Sequence, residues 1–262
     1  MAIQNTLEWV GSIYNSGHNI PICPSISKGM PLYRADISPK CAISNPVFVP
    51  PTESEVRNQN VFGSCVGQAA AFWLSRMIGK QISGSHLWIE GRRIQGDLAG
   101  SRDGTNVGSV LQAAGTFGCA PYCANENDDT KDNWDSASGG STLESTLQAY
   151  DCIVKSSAYS ISPSDRSAFD MINHALSNGY GIAICSGLRA PFWGITATNN
   201  TVGPESVGGL SNGHAQAVWG TYDNGLDVVN SWGVGFGNAG KYRLDKTAIS
   251  GLWEIVAFRN SV

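Results

Sequence analysis

Residues 65–80, CVGQAAAFWLSRMIGK, constrain the fold more than any other stretch of this 262-residue chain. The run is Ala-rich and favours a helix, yet apolar side chains occupy most of its faces. A helix of that kind has no face to give to water, so other elements must surround it in the middle of a domain. Further helical patterns follow. One spans 85–96, where Ser85 can cap and Leu87, Ile89 and Ile94 supply apolar contacts. Another starts at Thr105, a candidate N-cap, with Val107, Val110, Leu111 and Ala114 at i, i+3, i+4 and i+7. A fourth follows Ser162-Pro163, with Phe169, Ile172 and Leu176 on one face and Asn178-Gly179 to stop it.

The remaining patterns are strand-like and lie late in the chain. Residues 181–185 (GIAIC) read as a short buried strand, and 187–213 as a Gly/Asn-rich connection. Residues 214–222 and 226–230 flank Asp223-Asn224-Gly225, and Asn-Gly between two such runs signals a hairpin. Residues 241–244 and 253–258 can add further strands. Helices first and strands second argue for an α+β fold rather than an alternating α/β one. The Pro/Ser-punctuated beginning reads as an extended arm over 1–40, and 124–142 as a polar surface loop.

Charge narrows the function. Lys and Arg number 17 against 21 Asp and Glu, a net charge of −4, and no basic cluster stands out. A nucleic-acid binder needs phosphate-neutralising patches, so no nucleic-acid partner is expected. No apolar run approaches the ~18 residues that span a bilayer, so no membrane partner is expected either. The N-terminus lacks the basic start and apolar stretch of a secretory signal, which favours the cytoplasm. Seven cysteines (23, 41, 65, 119, 123, 152 and 185) are then read as reduced thiols. Cys119 and Cys123 have a zinc-like spacing, but no second Cys/His pair accompanies them, so no metal site is assigned.

Three local signals carry chemistry. In QNVFGSCVGQAAA, Cys65 sits at a Gly-Ser turn and opens the apolar helix. A free thiol titrates near ~8.5, and a helix N-terminus with a nearby imidazolium lowers that value and makes a nucleophile. The alternative is an inert core cysteine. Of the four histidines, His214 alone stands at a loop-to-strand entry, after Ser211-Asn212-Gly213. Asn230-Ser231-Trp232-Gly233 closes the second strand of the hairpin, which should bring Asn230 beside His214. An Asn amide can fix one imidazole nitrogen so that the other faces a thiol, with Trp232 shielding the bond. Taken singly, these residues also fit a surface histidine and a packed strand end.

Together they resemble the papain-like cysteine peptidases. The matching residues are Gln59 with Gly63-Ser64-Cys65, then Gly213-His214-Ala215, then NSWGVGFGNAGKYRL over 230–244. The family places a glutamine six residues before its nucleophile and its His and Asn sixteen apart, as found here. Residues 84–121, with Asp103-Gly104, resemble the middle of bacterial members more loosely. The resemblance implies a two-lobed α+β fold, with a helical lobe over about 60–150, a β-barrel-like lobe over about 151–262, and the active-site cleft between them.

It further implies Cys65 as nucleophile, His214 as base and then acid, Asn230 as the orienting group, and Gln59 in the oxyanion hole. Gly63, Ser64, Gly104, Trp232 and Phe236 would bind substrate. The expected enzyme is a monomeric endopeptidase acting on polypeptides through a thioacyl intermediate, without cofactor. An amidase or transferase of the same chemistry on wall peptides, or a non-hydrolytic binding protein, are the alternatives. Three departures bear on specificity and disulfides: Phe62 replaces a family cysteine, Val66 an aromatic, and Phe236 a second tryptophan. No long helical pro-segment is expected in the 64 residues before Cys65.

Overall fold

A computed structural model describes residues 30, 48–60, 62–96, 104–122 and 154–260. The arm over 1–40, apart from Met30, the loop over 124–142, Asp103 and Cys123 lie outside the described residues. Four α-helices and seven strands are described: α1 (Cys65–Ile78), α2 (Gly84–Gln95), α3 (Val107–Thr116), β1 (Ser156–Ile161), α4 (Ala168–Ser177), β2 (Gly181–Gly187), β3 (Thr201–Val202), β4 (Gly213–Tyr222), β5 (Gly225–Val229), β6 (Lys241–Asp245) and β7 (Glu254–Asn260).

The helix α1 is wrapped as its composition requires, packing on α2, α3, β2 and β4. Small side chains allow the close approach: Ala69, Ala70 and Ala71 of α1 share a core with Ala183, Ala215 and Ala217 of the sheet. Against α2 the approach is closer still. A Cβ on Gly67 would overlap the Gly84 carbonyl and stand 2.9 Å from Trp88 Cβ. Gly79, at φ 69°, ends α1 in the left-handed conformation that a glycine adopts without strain. Trp73 Nε1 donates to the Val218 carbonyl at 3.0 Å and pins α1 to β4.

The strands form one sheet in the order β1-β7-β2-β4-β5-β6-β3, antiparallel except for the β3–β6 pair. Strand periodicity splits its residues between two cores. Ala183, Cys185, Ala215, Val256 and Phe258 face the α1 side. Ile182, Ile184, Val218, Leu226 and Ile255 pack with Ile172 and Leu176 of α4. The α+β class is as expected, but the sheet is open rather than barrel-like. Its last strand, β3, has two residues, too few for the ladder that closure needs.

Some boundaries move. Ser83, not Ser85, caps α2, its hydroxyl accepting from the His86 N–H at 2.9 Å. Asn106, not Thr105, caps α3, accepting from the Ser109 N–H at 2.7 Å. Strand β1 was missing from the sequence pattern because SSAYSI does not alternate; it pairs with β7 alone and is mostly half-buried. Among the described residues, no helix is long and apolar enough to cross a membrane.

His86 on α2 makes the fold sensitive to acid. Burial, reinforced by Arg93, lowers its imidazole from the usual 6.5 to about 4. The unfolded chain therefore binds a proton that the native state refuses, and stability falls as pH drops from about 6.5 toward 4. Urea titrations at pH 6.5 and 4.5 should show a loss on the order of 2–3 kcal/mol from this group. His86→Asn should remove this share of the acid dependence and leave that of buried His214, which is lowered to a similar value; an unchanged slope would place the acid sensitivity elsewhere.

Candidate active site

The hairpin β4–β5 brings His214 and Asn230 together, and Gln59, just upstream of α1, joins them through Ser231. His214 is the second residue of β4, and Asn230 directly follows β5. Antiparallel pairing of Ala217 with Val229 brings the two ends together. The His214 Nε2 lies 2.6 Å from Asn230 Oδ1. The Ser231 N–H donates to the same Oδ1 at 2.8 Å, which identifies that atom as the oxygen. A carbonyl oxygen only accepts, so the neutral imidazole carries its proton on Nε2 and leaves Nδ1 as the basic nitrogen. Both side chains are buried, at 5% and 2% exposure.

Aromatic rings seal this pair. Trp232 stacks on His214 with centroids 4.6 Å apart and planes 26° apart. Burial lowers the imidazole from 6.5 to about 4, and the Asn230 hydrogen bond acts in the opposite direction. The resting ring is therefore neutral at physiological pH while no anion stands beside it.

Cys65 is the first residue of α1 and is buried, at 7% exposure. No acidic side chain occupies the first turn of this 14-residue helix, so its positive end meets no competing charge there. Ser64 before it is fully buried, its hydroxyl 3.3 Å from the Gln68 amide nitrogen, and turns into the body of the protein. Gly63 is half-buried and faces Gly104. Among the described residues, a Cβ built on Gly104 would meet only the Gly63 carbonyl, at 3.8 Å.

Gln59 is held by both ends of its side chain. Its Nε2 donates to the Phe62 carbonyl at 2.7 Å, which leaves the second N–H of the amide. Its Oε1 accepts from the Ser231 hydroxyl at 2.6 Å, and its backbone N–H donates to the Ser231 carbonyl at 2.8 Å. Ser231 thus ties Gln59 to the Asn230 segment, supported by the Asn58–Trp232 bridge. Sequence reasoning gave Ser231 no role; the partners are 172 positions apart and no local pattern marks the pair.

Phe236 is buried at 6% exposure, with its face on Phe192 and its edge on Trp232, so it reaches the site through other rings. The outward aromatic surface belongs instead to half-buried Trp232 and Trp193, stacked 5.2 Å apart at 17°. Trp193 belongs to the 3-10 turn Ala190–Gly194. That turn lies in the connection that the sequence presented as merely Gly/Asn-rich.

No protein-family model and no curated protein matches the chain. Solved structures do. Xylellain, a cysteine protease from Xylella fastidiosa, is 17% identical with a TM-score of 0.58, over 84% of this chain and 88% of that one. Digestive procathepsin L 3 of Tenebrio molitor larval midgut is 16% identical with a TM-score of 0.57, over 99% and 79%. A Carica candamarcensis cysteine protease in complex with E-64 is 17% identical with a TM-score of 0.55, over 77% and 90%. With an open sheet on one side and the buried helix of Cys65 on the other, the chain has the fold of the papain-like cysteine proteases.

Proposed function

We propose that this protein is a cysteine endopeptidase in which Cys65, His214 and Asn230 form the catalytic triad and Gln59 supplies the oxyanion hole. The observation that carries the reading is the 2.6 Å contact between His214 Nε2 and Asn230 Oδ1, which leaves Nδ1 as the basic nitrogen. On this reading Nδ1 takes the Cys65 proton. The resulting thiolate is favoured by the helix N-terminus and supplies the negative charge that holds the imidazolium against the cost of burial.

The thiolate attacks the carbonyl carbon of an extended peptide, and the carbonyl electron pair moves onto oxygen. The free N–H of Gln59 Nε2 and the Cys65 backbone N–H stabilise that oxyanion. The imidazolium then gives its proton to the leaving amine as the C–N bond breaks, which leaves a thioester on Cys65. Water, deprotonated by Nδ1, hydrolyses the thioester and regenerates the thiol.

Gly104 opposite Gly63 leaves room for a substrate backbone to lie in strand-like contact. Gly104→Leu places a side chain in that gap, where the added Cβ stands 3.8 Å from the Gly63 carbonyl. It should raise KM about 10-fold or more, with the melting temperature little changed. An unchanged KM would remove Gly104 from the substrate path. The reading as a whole is tested by incubating the protein with an unfolded polypeptide before and after treatment with iodoacetamide. Cleavage that alkylation abolishes is expected, and absence of cleavage would overturn it.

A further inference from the structure

We propose, resting on the peptidase reading above, that Trp193 is a positioning residue: stacked on Trp232, it clamps that indole onto His214 and keeps water from the His214–Asn230 hydrogen bond. Trp232 sits in a loop, between Ser231 and Gly233, whose φ of 73° marks a sharp turn. Its ring therefore depends on its neighbours for orientation. Phe192 and Phe236 meet it edge-on, at 90° and 87°. Two rings lie nearly parallel to it, His214 at 26° and Trp193 at 17°. Of these face-on contacts, Trp193 is the one that does not take part in the proposed chemistry.

Trp193 is itself held firmly. It follows Phe192, which is fully buried and packs on Trp232, Phe236 and Tyr242. Pro191 stiffens the turn, and the Phe192 N–H donates to the Arg189 carbonyl at 3.0 Å. A rigid, half-exposed indole on a short turn can fix the face of a second indole without itself reaching the imidazole. If that contact is lost, Trp232 gains freedom to lift, and water gains access to the hydrogen bond beneath.

The ionisation of His214 reports on this sealing. The elements around it supply Ser186 across on β2, Asn230 after β5 and the Trp232 ring; on the peptidase reading the Cys65 thiol joins them. Charged side chains in the flanking register are Lys241 on β6, opposite Val229, and Glu254 on β7, opposite Cys185. Arg189 is held on the Gly208 carbonyl at 3.1 Å. None of these charges is among the causes that set the imidazole; burial lowers it and Asn230 opposes.

The test is an NMR titration of the His214 ring in the full chain carrying Cys65→Ala, where no thiolate intervenes. Its pKa is expected near 4. Adding Trp193→Ala should raise it by about one unit or more, toward the ~6.5 of a hydrated imidazole. Trp193→Phe, which keeps a flat ring, should restore most of the depression. Should the Ala variant fail to fold, Trp193→Leu keeps an apolar side chain without the face-to-face contact and should shift the titration in the same direction.

A titration unmoved by losing the indole would overturn the clamp. With Cys65 intact, Trp193→Ala should lower kcat/KM about 3–10-fold whatever residue follows the cleaved bond. A loss confined to peptides with bulky leaving residues would mean that Trp193 touches substrate, and would also overturn the clamp. If the unmodified chain cleaves no peptide, the peptidase reading fails, while the titration still decides the role of Trp193.

Discussion

Cys65→Ala is expected to lower kcat/KM for peptide hydrolysis by at least about 10⁴-fold, to the background of the assay. In the proposed mechanism the thiol forms the covalent intermediate, and Ala offers nothing in its place. The fold should tolerate the change. The side chain is small, sits at the first position of α1, and its loss should cost less than about 2 kcal/mol.

His214→Ala should reduce turnover comparably but cost more stability, because it removes the ring stacked on Trp232 and one donor to Asn230 Oδ1. The two variants also differ in alkylation. If His214 is the partner that favours the thiolate, as proposed, its loss should make iodoacetamide label Cys65 much more slowly at pH 6 than in the unmodified chain. Peptidase activity near the unmodified level in Cys65→Ala would end the thiol mechanism.

Gln59→Ala is expected to lower kcat/KM by about 10²–10³, with kcat falling alongside it. In the proposed mechanism the amide acts where charge develops on the substrate oxygen, so its loss should fall on the transition state and not on substrate binding. Alkylation of Cys65 builds no oxyanion and should keep its rate and pH profile. Ser231→Ala removes the hydroxyl that donates to Gln59 Oε1 at 2.6 Å and leaves that amide less firmly oriented. Its turnover should fall between the unmodified chain and Gln59→Ala. Asn230→Ala should instead disturb the imidazole itself and change the alkylation profile. Identical alkylation profiles for Gln59→Ala and Asn230→Ala would show that the roles are not divided in this way.

The parts of the site legible in the sequence are those set by local geometry. A buried helix opened by Cys65, and a hairpin joining His214 to Asn230, follow from helix propensity and the Asp223-Asn224-Gly225 signal, although the turn itself is Asp223-Asn224 and Gly225 already pairs with Tyr222. Ser231 and Trp193 were hidden for a different reason. The Ser231–Gln59 hydrogen bond joins residues 172 positions apart, and the Trp193–Trp232 stack arises where an aperiodic connection folds back over the sheet. The helix caps moved because Ser83 competes with Ser85, and Asn106 with Thr105, and only the backbone path decides which side chain meets an unpaired N–H. The open sheet was not readable either, since closure depends on pairing between distant strands and not on any one pattern.

The most direct measurement is intact-mass spectrometry of the protein quenched in acid within milliseconds of mixing with a peptide ester. The thioacyl mechanism requires a mass increment equal to the acyl half of the substrate, localised to Cys65 by peptide mapping, which disappears as the free acid is released. No increment, or an adduct on another residue while product still forms, would contradict it.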